Sequence, residues 1–545
     1  MVIWLLACAV EEPCAEGYGR VASGACVPFE DGDEPPVTVD SDPPPVDSGT
    51  DTADEVVLTP LSAPRLLRRL SLDLRGVLPA VDELDAVEAD PTRVDAYLEE
   101  YLYDTRFRQR VVHHLEERFH TTIDEYLIFY EEYRLGTEDE YAWERSVGEE
   151  PLQLMAWIAD QDRPWSEVVT ADFTVADEML ESIWPLEREE GEGWQVAHYT
   201  DGRPAAGLLA TNGMWFRYYT TVANKNRARA AALSRLLLCE DYLNRPVSFA
   251  SAPSLADEGA TEEALQSDPY CLGCHSSLDP LAATLFGFWT ANEYNRHELD
   301  SYHPEREPIG EEMLGVEMAW FGTPLAGLQE LGPAIAADER FGWCTAQTWA
   351  ELLWRRTTDN DDWSTVEALR QDYLADGTLR GVLRAVTATD EYRAAGDGDA
   401  GRVVGRRQLT PGMMSSALGE LSGLSWTWEG WDQMDNDTWG YRQLGGGVDG
   451  VSVTTAQGVP SLTWLLVVQR WGYAVGQTMA QDLAGAELRP QLAELAWQLH
   501  AVRISDDELD LLEALFEAVS AEEGDEEAWA TVVTVLVRDP EFVSY

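Results

Sequence analysis

Apolar residues recur at three- and four-residue intervals along most of the chain from Leu58 onward. This spacing is typical of helices that bury one face, and it is clear over 111–133, 151–158 and 225–239. We therefore predict a mainly α-helical protein.

One order of helices recurs three times. An apolar helix with arginines comes first, at 66–70, 352–356 and 499–503. An acidic helix start follows, at 81–84, 364–367 and 505–508, the last two as capping boxes opened by Ser364 and Ser505. Each module closes on an Asp followed by an aromatic residue: Asp104 with Phe107, Asp390 with Tyr392, and Asp539 with Phe542. We predict repeat modules that share their packing, with coincidence among amphipathic helices as the alternative.

Two stretches interrupt the helical pattern. Residues 27–58 are acidic and rich in Pro, Asp, Ser and Thr, with too little apolar surface to offset the entropy of ordering. They predict a disordered tether. Residues 426–461 alternate Trp, Asp and Gly, which predicts a long surface loop with a short hairpin.

The charge of the chain restricts its partners. The 545 residues include 99 acidic and 38 basic side chains, for a net charge of −61. Such a field opposes binding to nucleic acid or to anionic lipid surfaces. Because the acid excess runs along the whole chain, we favour adaptation to a saline exterior over recognition of one cationic partner.

Cys271, Cys274 and His275 form the run C-x-x-C-H, the attachment signature of c-type haem. Cysteines three apart lie on one side of a helical turn, so both sulfurs can form thioethers with one porphyrin. The adjacent His275 can then be the proximal ligand to the iron. Two alternatives remain, a redox-active thiol pair and half of a zinc site, although no second Cys/His pair follows at ligand spacing.

The segments around this motif occur in a familiar order. They are Gly207-Leu208-Leu209, then Leu236-Leu237-Leu238-Cys239, then the motif, then Leu278-Asp279-Pro280-Leu281. Further segments are 70–76 with Pro79, 171–174 and 341–344. Together they resemble the cytochrome-like domains of unknown function first catalogued in planctomycete proteins, over most of 60–400 and more weakly over 401–545, as several domains in tandem. The chain has Ala282 where that family usually has glycine. The resemblance implies one covalent haem and an exported location.

The N-terminus and the remaining cysteines agree with export. Leu5-Leu6-Ala7-Cys8 resembles a bacterial lipobox, so we expect lipidation at Cys8 and an anchored protein of the bacterial cell envelope, in the periplasm or at the outer surface. After lipid and haem are assigned, four of the seven cysteines remain. We predict disulfides Cys14–Cys26 and Cys239–Cys344, which an oxidising compartment permits.

These features divide the chain into six predicted segments. They are a degenerate signal and lipobox (1–8), a tether (9–58), an N-terminal helical domain (59–200), a haem-motif domain (201–345), a helical module (346–400) and a C-terminal helical domain (401–545), with a linker at 396–401.

The second axial ligand of the iron stays open. Met313 or Met318 could return across the haem, and His297 and His303 are alternatives. Methionine would raise the reduction potential relative to a second histidine, which suits electron transfer.

Two weaker constellations carry carboxylates. His113, Glu117 and His120 fall at i, i+4 and i+7, where a metal site competes with the commoner half-buried helix face. Asp432, Asp435 and Asp437, or Asp397 and Asp399, could offer oxygens to calcium, but neither run matches an EF-hand loop.

The first hypothesis is therefore an exported, lipid-anchored c-type haem protein that transfers electrons to an unidentified redox partner protein. The membrane would be reached through the lipid anchor only, and nucleic acid is not expected as a partner. The alternatives are a peroxidase-like haem enzyme with an open iron position, and a non-catalytic helical scaffold in which the C-x-x-C is a disulfide.

Overall fold

The computed structural model describes residues 58–245, 258–290, 300–395 and 407–545, except positions 439, 459, 484 and 486, together with the backbone of two short N-terminal strands. The chain separates into two compact units, Met1–Val56 and Val57–Tyr545. The finer boundaries predicted at 200 and 345 stay predictions.

The first unit contains one antiparallel hairpin in its described part. Strand β1 (Tyr18–Arg20) pairs with β2 (Cys26–Pro28), and Gly19 lies opposite Val27. The predicted lipidation at Cys8, the Cys14–Cys26 bridge and the rest of the tether lie outside the described residues.

The second unit is mainly helical, as the hydrophobic pattern predicts. Its described α-helices are α1 (Ala63–Leu74), α2 (Val81–Ala89), α3 (Val94–Leu102), α4 (Phe107–Phe119), α5 (Glu140–Asp160), α6 (Glu178–Ile183), α7 (Asn212–Arg217), α8 (Arg227–Leu238), α9 (Glu258–Ser267), α10 (Pro269–Ala283), α11 (Glu307–Leu314), α12 (Leu328–Ala337), α13 (Glu339–Trp354), α14 (Trp363–Asp376), α15 (Leu379–Ala388), α16 (Asp390–Arg393), α17 (Pro411–Ser422), α18 (Leu462–Leu483), α19 (Leu488–His500), α20 (Asp506–Glu523), α21 (Asp525–Arg538) and α22 (Pro540–Val543).

Short strands lie between these helices. Strands β3 (Thr174–Ala176), β4 (Leu186–Arg188) and β5 (Gln195–Tyr199) form an antiparallel sheet with β5 in the centre. Two small hairpins join β6 (Ala319–Trp320) to β7 (Thr323–Pro324) and β8 (Thr427–Trp428) to β9 (Trp431–Asp432). None of the helices in the described part of the chain has the length and apolarity that a membrane span requires.

Helix α1 lies where two apolar cores meet. Most of its leucines join a core built largely from helices before residue 395, whereas Leu72 joins the core of α17–α21. Arg68 and Arg69 are buried beside them. Arg68 donates to the carbonyls of Leu499 and Phe542 at 2.9 and 2.8 Å, and Arg69 donates to that of Tyr392 at 2.6 Å. One helix thus satisfies carbonyl groups from two distant chain segments.

The buried carboxylate of Asp73, also on α1, forms hydrogen bonds with residues near 392, 407 and 545. It accepts hydrogen bonds from the hydroxyls of Tyr392 and Tyr545 at 2.9 and 2.8 Å, and from Arg407 at 2.8 Å. The Arg407–Asp73 ion pair is almost fully buried, with side chains 1% and 0% exposed. Such a pair requires all its partners to be in place.

Two local expectations are corrected by the structure, and a third is confirmed. The helix predicted over 111–133 ends at Phe119, because His120 adopts a left-handed conformation (φ 52°) and the chain turns away. Ser364 does not open a helix, since α14 starts at Trp363 and Asp362 occupies its N-cap position. Ser505 does form its predicted capping box, accepting from the amide of Glu508.

The stretch 426–461 contains the predicted short hairpin, β8–β9, but it is not a surface loop throughout. Met434 and Asn436 are each only 1% exposed. The segment packs inward because Asp435 pairs with Arg145 of α5 at 3.0 Å and Arg442 pairs with Asp124 at 2.7 Å. Buried ion pairs therefore hold a segment that its composition would place in solvent.

Candidate functional site

The C-x-x-C-H run occupies the N-terminal half of α10. Asp268 caps this helix by accepting from the amide of Tyr270 at 2.8 Å, and Pro269 occupies the first turn. Both residue types favour a helix start at these positions. Cys271 and Cys274 are free thiols, neither buried nor fully exposed, and their spacing makes them neighbours on one helix face.

His275 is held in one orientation by a carboxylate. Its Nδ1 lies 2.8 Å from Oδ1 of Asp279, one helical turn further on. Because an ionised carboxylate can only accept, Nδ1 carries the hydrogen and the neutral ring keeps its lone pair on Nε2. With 20% of its side chain exposed, His275 presents a donor nitrogen of the kind that ligates metals.

Asp279 is in turn fixed by an arginine of α8. Arg227 donates from Nε and Nη2 to the two carboxylate oxygens at 2.9 and 3.0 Å, the bidentate geometry of strong charge-assisted pairs. Burial alone would raise the pKa of Asp279, but the hydrogen bonds from His275 and Arg227 hold this pKa below its usual value. The carboxylate is therefore ionised where it meets the imidazole.

Neighbouring elements brace the motif helix. Helices α8, α9 and α11 and strand β6 pack against α10. Lys225, the only lysine of the chain, joins two of them, since its ammonium contacts Glu262 of α9 at 3.0 Å and the carbonyl of Met313 in α11 at 3.2 Å. Tyr242 and Ser277 add a hydroxyl pair at 2.7 Å.

The environment of the Cys271 thiol contains influences of both signs. Burial, followed by the nearby Asp268 and Cys274, raises its pKa. Its position in the first turn of α10 acts in the opposite direction, because a helix N-terminus stabilises a thiolate, so the redox-pair alternative stays open.

The donor set fits a covalently attached haem. Two unpaired thiols share one helix face, and the adjacent imidazole has Nε2 available. A Cβ atom added at Gly273, between the cysteines, would meet nothing within 4 Å, so α10 is exposed at this position. Cys271 and Cys274 would hold the porphyrin and His275 the iron.

The candidates for the second axial ligand stay open. Met313 lies on α11 and Met318 directly precedes β6, two elements that pack against α10. Met318 is 7% exposed within the main apolar core, which is also the environment of a gap-filling methionine. Nδ1 of His303 lies 3.2 Å from Glu305, and His297 lies outside the described residues.

Cys239 and Cys344 form a disulfide, the pairing that the cysteine count predicts, with Cα atoms 5.2 Å apart. It connects the residue after α8 to α13 and closes a chain separation of 105 residues around the motif. The bridge thus anchors the end of the helix whose first residue, Arg227, orients Asp279.

The two weaker constellations meet in one place. His113, Glu117 and His120 line the same cavity of about 420 Å³ as Asp432 and Asp435. We call it the acidic cavity. Burial lowers the pKa of His113 and that of His120 to about 4, so both rings are neutral near pH 7. Asp437 instead pairs with Arg442 at 3.1 Å, and Asp397 and Asp399 lie outside the described residues.

In the described part of the chain, no group of three or more His, Cys, Asp or Glu side chains is arranged to hold a metal ion on its own. A haem iron needs only one or two protein side chains, as its axial ligands.

Sequence reasoning found the haem-motif residues but assigned no role to Asp279 or Arg227. The position of Asp279, four residues after His275, was a usable signal because i and i+4 are neighbours on a helix. Arg227 lies 52 residues from Asp279, and only the packing of α8 on α10 brings them together.

Comparisons with family models, curated proteins and solved structures find no match to this chain. The proposed function therefore depends on the geometry of the site.

Proposed function

We propose that this chain is a c-type haem protein that carries one haem, bonded through Cys271 and Cys274, with His275 as the proximal ligand. The observation that carries the proposal is the C-x-x-C-H run on one helix, with free thiols and with Nδ1 of His275 held by Asp279 so that Nε2 is available. When bound, the haem supplies one-electron chemistry at its iron.

We propose electron transfer as its activity, with another redox protein as partner. An exported position, anchored by lipid at Cys8 in the bacterial cell envelope, fits the lipobox-like start. It also fits the Cys239–Cys344 disulfide, because such bonds persist in oxidising compartments. The cytochrome-like resemblance and the repeat modules around the haem segment belong to the same proposal.

One observation favours a second candidate, a haem enzyme with an open iron position. A carboxylate that accepts from a ligating histidine makes the ligand more electron-rich, and Asp279 occupies that place at 2.8 Å. Carbon monoxide binding to the reduced protein separates the candidates, since two protein ligands would exclude it and an open position would bind it.

The haem proposal is tested on protein exported from cells that have haem-attachment machinery. Haem should stay on the polypeptide in a denaturing gel, and the polypeptide mass should exceed the chain mass by one haem. Cys271→Ala with Cys274→Ala should abolish both signals, and His275→Ala should change the visible spectrum.

The matched control is Ser276→Ala, which places alanine at an exposed position of the same helix, leaves the motif intact and should retain haem. Colourless, correctly exported protein without added mass would contradict the proposal. In that case the helical scaffold with a C-x-x-C disulfide would take its place.

A further inference from the structure

A second cavity is lined by several arginines, although the protein as a whole is acidic. Its volume is about 520 Å³, and it lies among the C-terminal end of α13, parts of α4 and α8, and the segments 407–410 and 454–458. Five of the residues that line it are arginines: Arg118, Arg235, Arg355, Arg356 and Arg407. We call it the arginine cavity.

Three of these arginines have carboxylate partners. Arg355 pairs with Glu117, Arg356 with Asp362 and Arg407 with Asp73. These pairs account for part of the positive charge as ordinary structural ion pairs.

Arg118 and Arg235 do not follow this pattern. Neither forms an ion pair among the residues that the structure describes. Burial and Arg235 lower the pKa of Arg118, whereas Glu351, which also lines the cavity, acts on it from a distance and raises that pKa. Nη2 of Arg118 donates to the backbone carbonyl of Arg235 at 2.8 Å, so the two residues are neighbours. The five arginines outnumber Glu117 and Glu351, the two carboxylates that line the cavity, so a bound anion would reduce the repulsion between Arg118 and Arg235.

A buried guanidinium gives an independent indication. The side chain of Arg407 is 1% exposed, and only Nη1 reaches Asp73. Its Nε and Nη2 find no hydrogen-bond partner within the described ranges, and neither does Nε of Arg118. Buried donors are normally satisfied, so the guanidinium of Arg407 beside the cavity has hydrogen-bonding capacity that the described side chains leave unused.

The neighbouring acidic cavity limits what that ligand can be. The two cavities share Glu117, His120, Thr410 and Ala456, and beyond this border lie Glu116, Glu149, Asp432 and Asp435. A polyanion that extended across the border would meet these carboxylates. A compact anion that stays among the arginines would avoid those four and would meet only Glu117 and Glu351 of its own cavity.

We propose that the arginine cavity binds a small organic anion that carries a carboxylate or phosphate group. The planar guanidinium groups match the oxygen pairs of such groups. Threonines at 348, 357, 454 and 455 line the same space and can donate to the ligand's remaining oxygens. The site does not include the residues of the C-x-x-C-H motif, so it stands independently of the haem proposal.

The test uses the full chain and isothermal titration with citrate, with inorganic phosphate and with glucose as an uncharged control. Wild-type protein should bind citrate or phosphate saturably at one site per chain, and glucose should give no binding. Arg235→Gln should weaken anion binding at least tenfold. This variant should fold, because Arg235 is only half-buried and its one side-chain hydrogen bond runs at 3.4 Å to Tyr218.

Two further variants complete the design. Arg384→Gln removes the same charge from α15, where Arg384 pairs at the surface with Glu99 of α3, and should change affinity less than twofold. Arg235→Lys keeps the charge but loses the planar fork, so its affinity should lie between those of wild type and Arg235→Gln. The proposal is overturned if neither anion binds saturably, if Arg235→Gln binds as wild type does, or if Arg384→Gln weakens binding equally.

Discussion

Asp279 determines how His275 is presented. The carboxylate selects the ring tautomer, and Arg227 keeps the carboxylate ionised and in place. A histidine that donates to a carboxylate is a stronger electron donor to a metal than one that donates to a neutral group. The environment of the proposed proximal ligand therefore depends on a residue that would make no covalent contact with the proposed haem.

Asp279→Asn should raise the reduction potential of the haem, because a neutral acceptor on Nδ1 makes His275 less electron-rich. Redox titration followed by absorption measures the change. Asp268→Asn is the matched control: it removes the same charge from the same helix and retains a capping side chain. An equal shift in both variants would assign the effect to general charge rather than to the hydrogen bond.

His120 should make folding depend on mildly acidic pH. Burial, together with Arg217 and Arg235, lowers the pKa of its ring to about 4, whereas the unfolded chain binds a proton near pH 6.5. Falling pH therefore favours the unfolded state between about 6.5 and 4. The contribution lost over this window is about 3 kcal/mol.

Denaturant unfolding of His120→Gln across this pH window checks the prediction. The variant should lose less stability than wild type as pH falls, because glutamine does not titrate. Parallel curves for the two proteins would contradict the assigned shift.

At the scale of elements, disulfide and ion pairs connect helices that are distant in sequence. The Cys239–Cys344 bridge spans 105 residues, and closing a loop of that size limits the unfolded chain strongly. Cys239→Ala with Cys344→Ala should therefore lower the free energy of unfolding by about 4–5 kcal/mol. Chemical denaturation of the oxidised proteins measures this, and an unchanged midpoint would show that the bridge does not form in solution.

Asp73 should be the most sensitive single carboxylate in the interior. Asp73→Asn leaves Arg407 buried without its counter-charge, which should cost about 3–5 kcal/mol. Asp95→Asn breaks an Arg–Asp pair at the surface, where Asp95 is 70% exposed, and should cost less than about 1 kcal/mol. Equal losses in the two variants would contradict the role assigned to burial.

Some elements could be predicted from local pattern alone. The helix expected over 225–239 is α8 (Arg227–Leu238), and Ser505 forms the expected cap. The end of α4 could not be predicted. His120 adopts the left-handed conformation that ends the helix, but it is not the glycine that usually signals such an end. The inward position of Met434 depends on ion pairs with distant segments, which no local pattern contains.

The residues of the C-x-x-C-H motif could be predicted from sequence, whereas those of the arginine cavity could not. Cys271, Cys274 and His275 are adjacent in sequence and readable as a motif. The arginine cavity draws on residues from 117 to 458, and five arginines spread over that range carry no spacing signal. Packing of helices that lie far apart in sequence creates the cavity, so only the structure brings its residues together.

For the whole molecule, a net charge of −61 implies strong self-repulsion that dissolved ions screen. We expect the thermal unfolding midpoint to rise with sodium chloride, most steeply at low concentration. Melts over a salt series measure it. A flat or falling midpoint would instead favour a cationic partner as the reason for the acidity.

The buried arginines of α1 also bear on the order in which the chain folds. The carbonyl that accepts from Arg69 belongs to a residue 323 positions later, and one that accepts from Arg68 belongs to a residue 474 positions later. At ribosomal speeds of about 5–20 residues per second, that interval is roughly 20 to 100 s. Helices α2, α3 and α4 follow directly and can cover most leucines of α1 early, but the two guanidinium groups still lack these acceptors. We expect their hydrogen bonds to be among the last contacts of α1 to form, because they span so much of the chain.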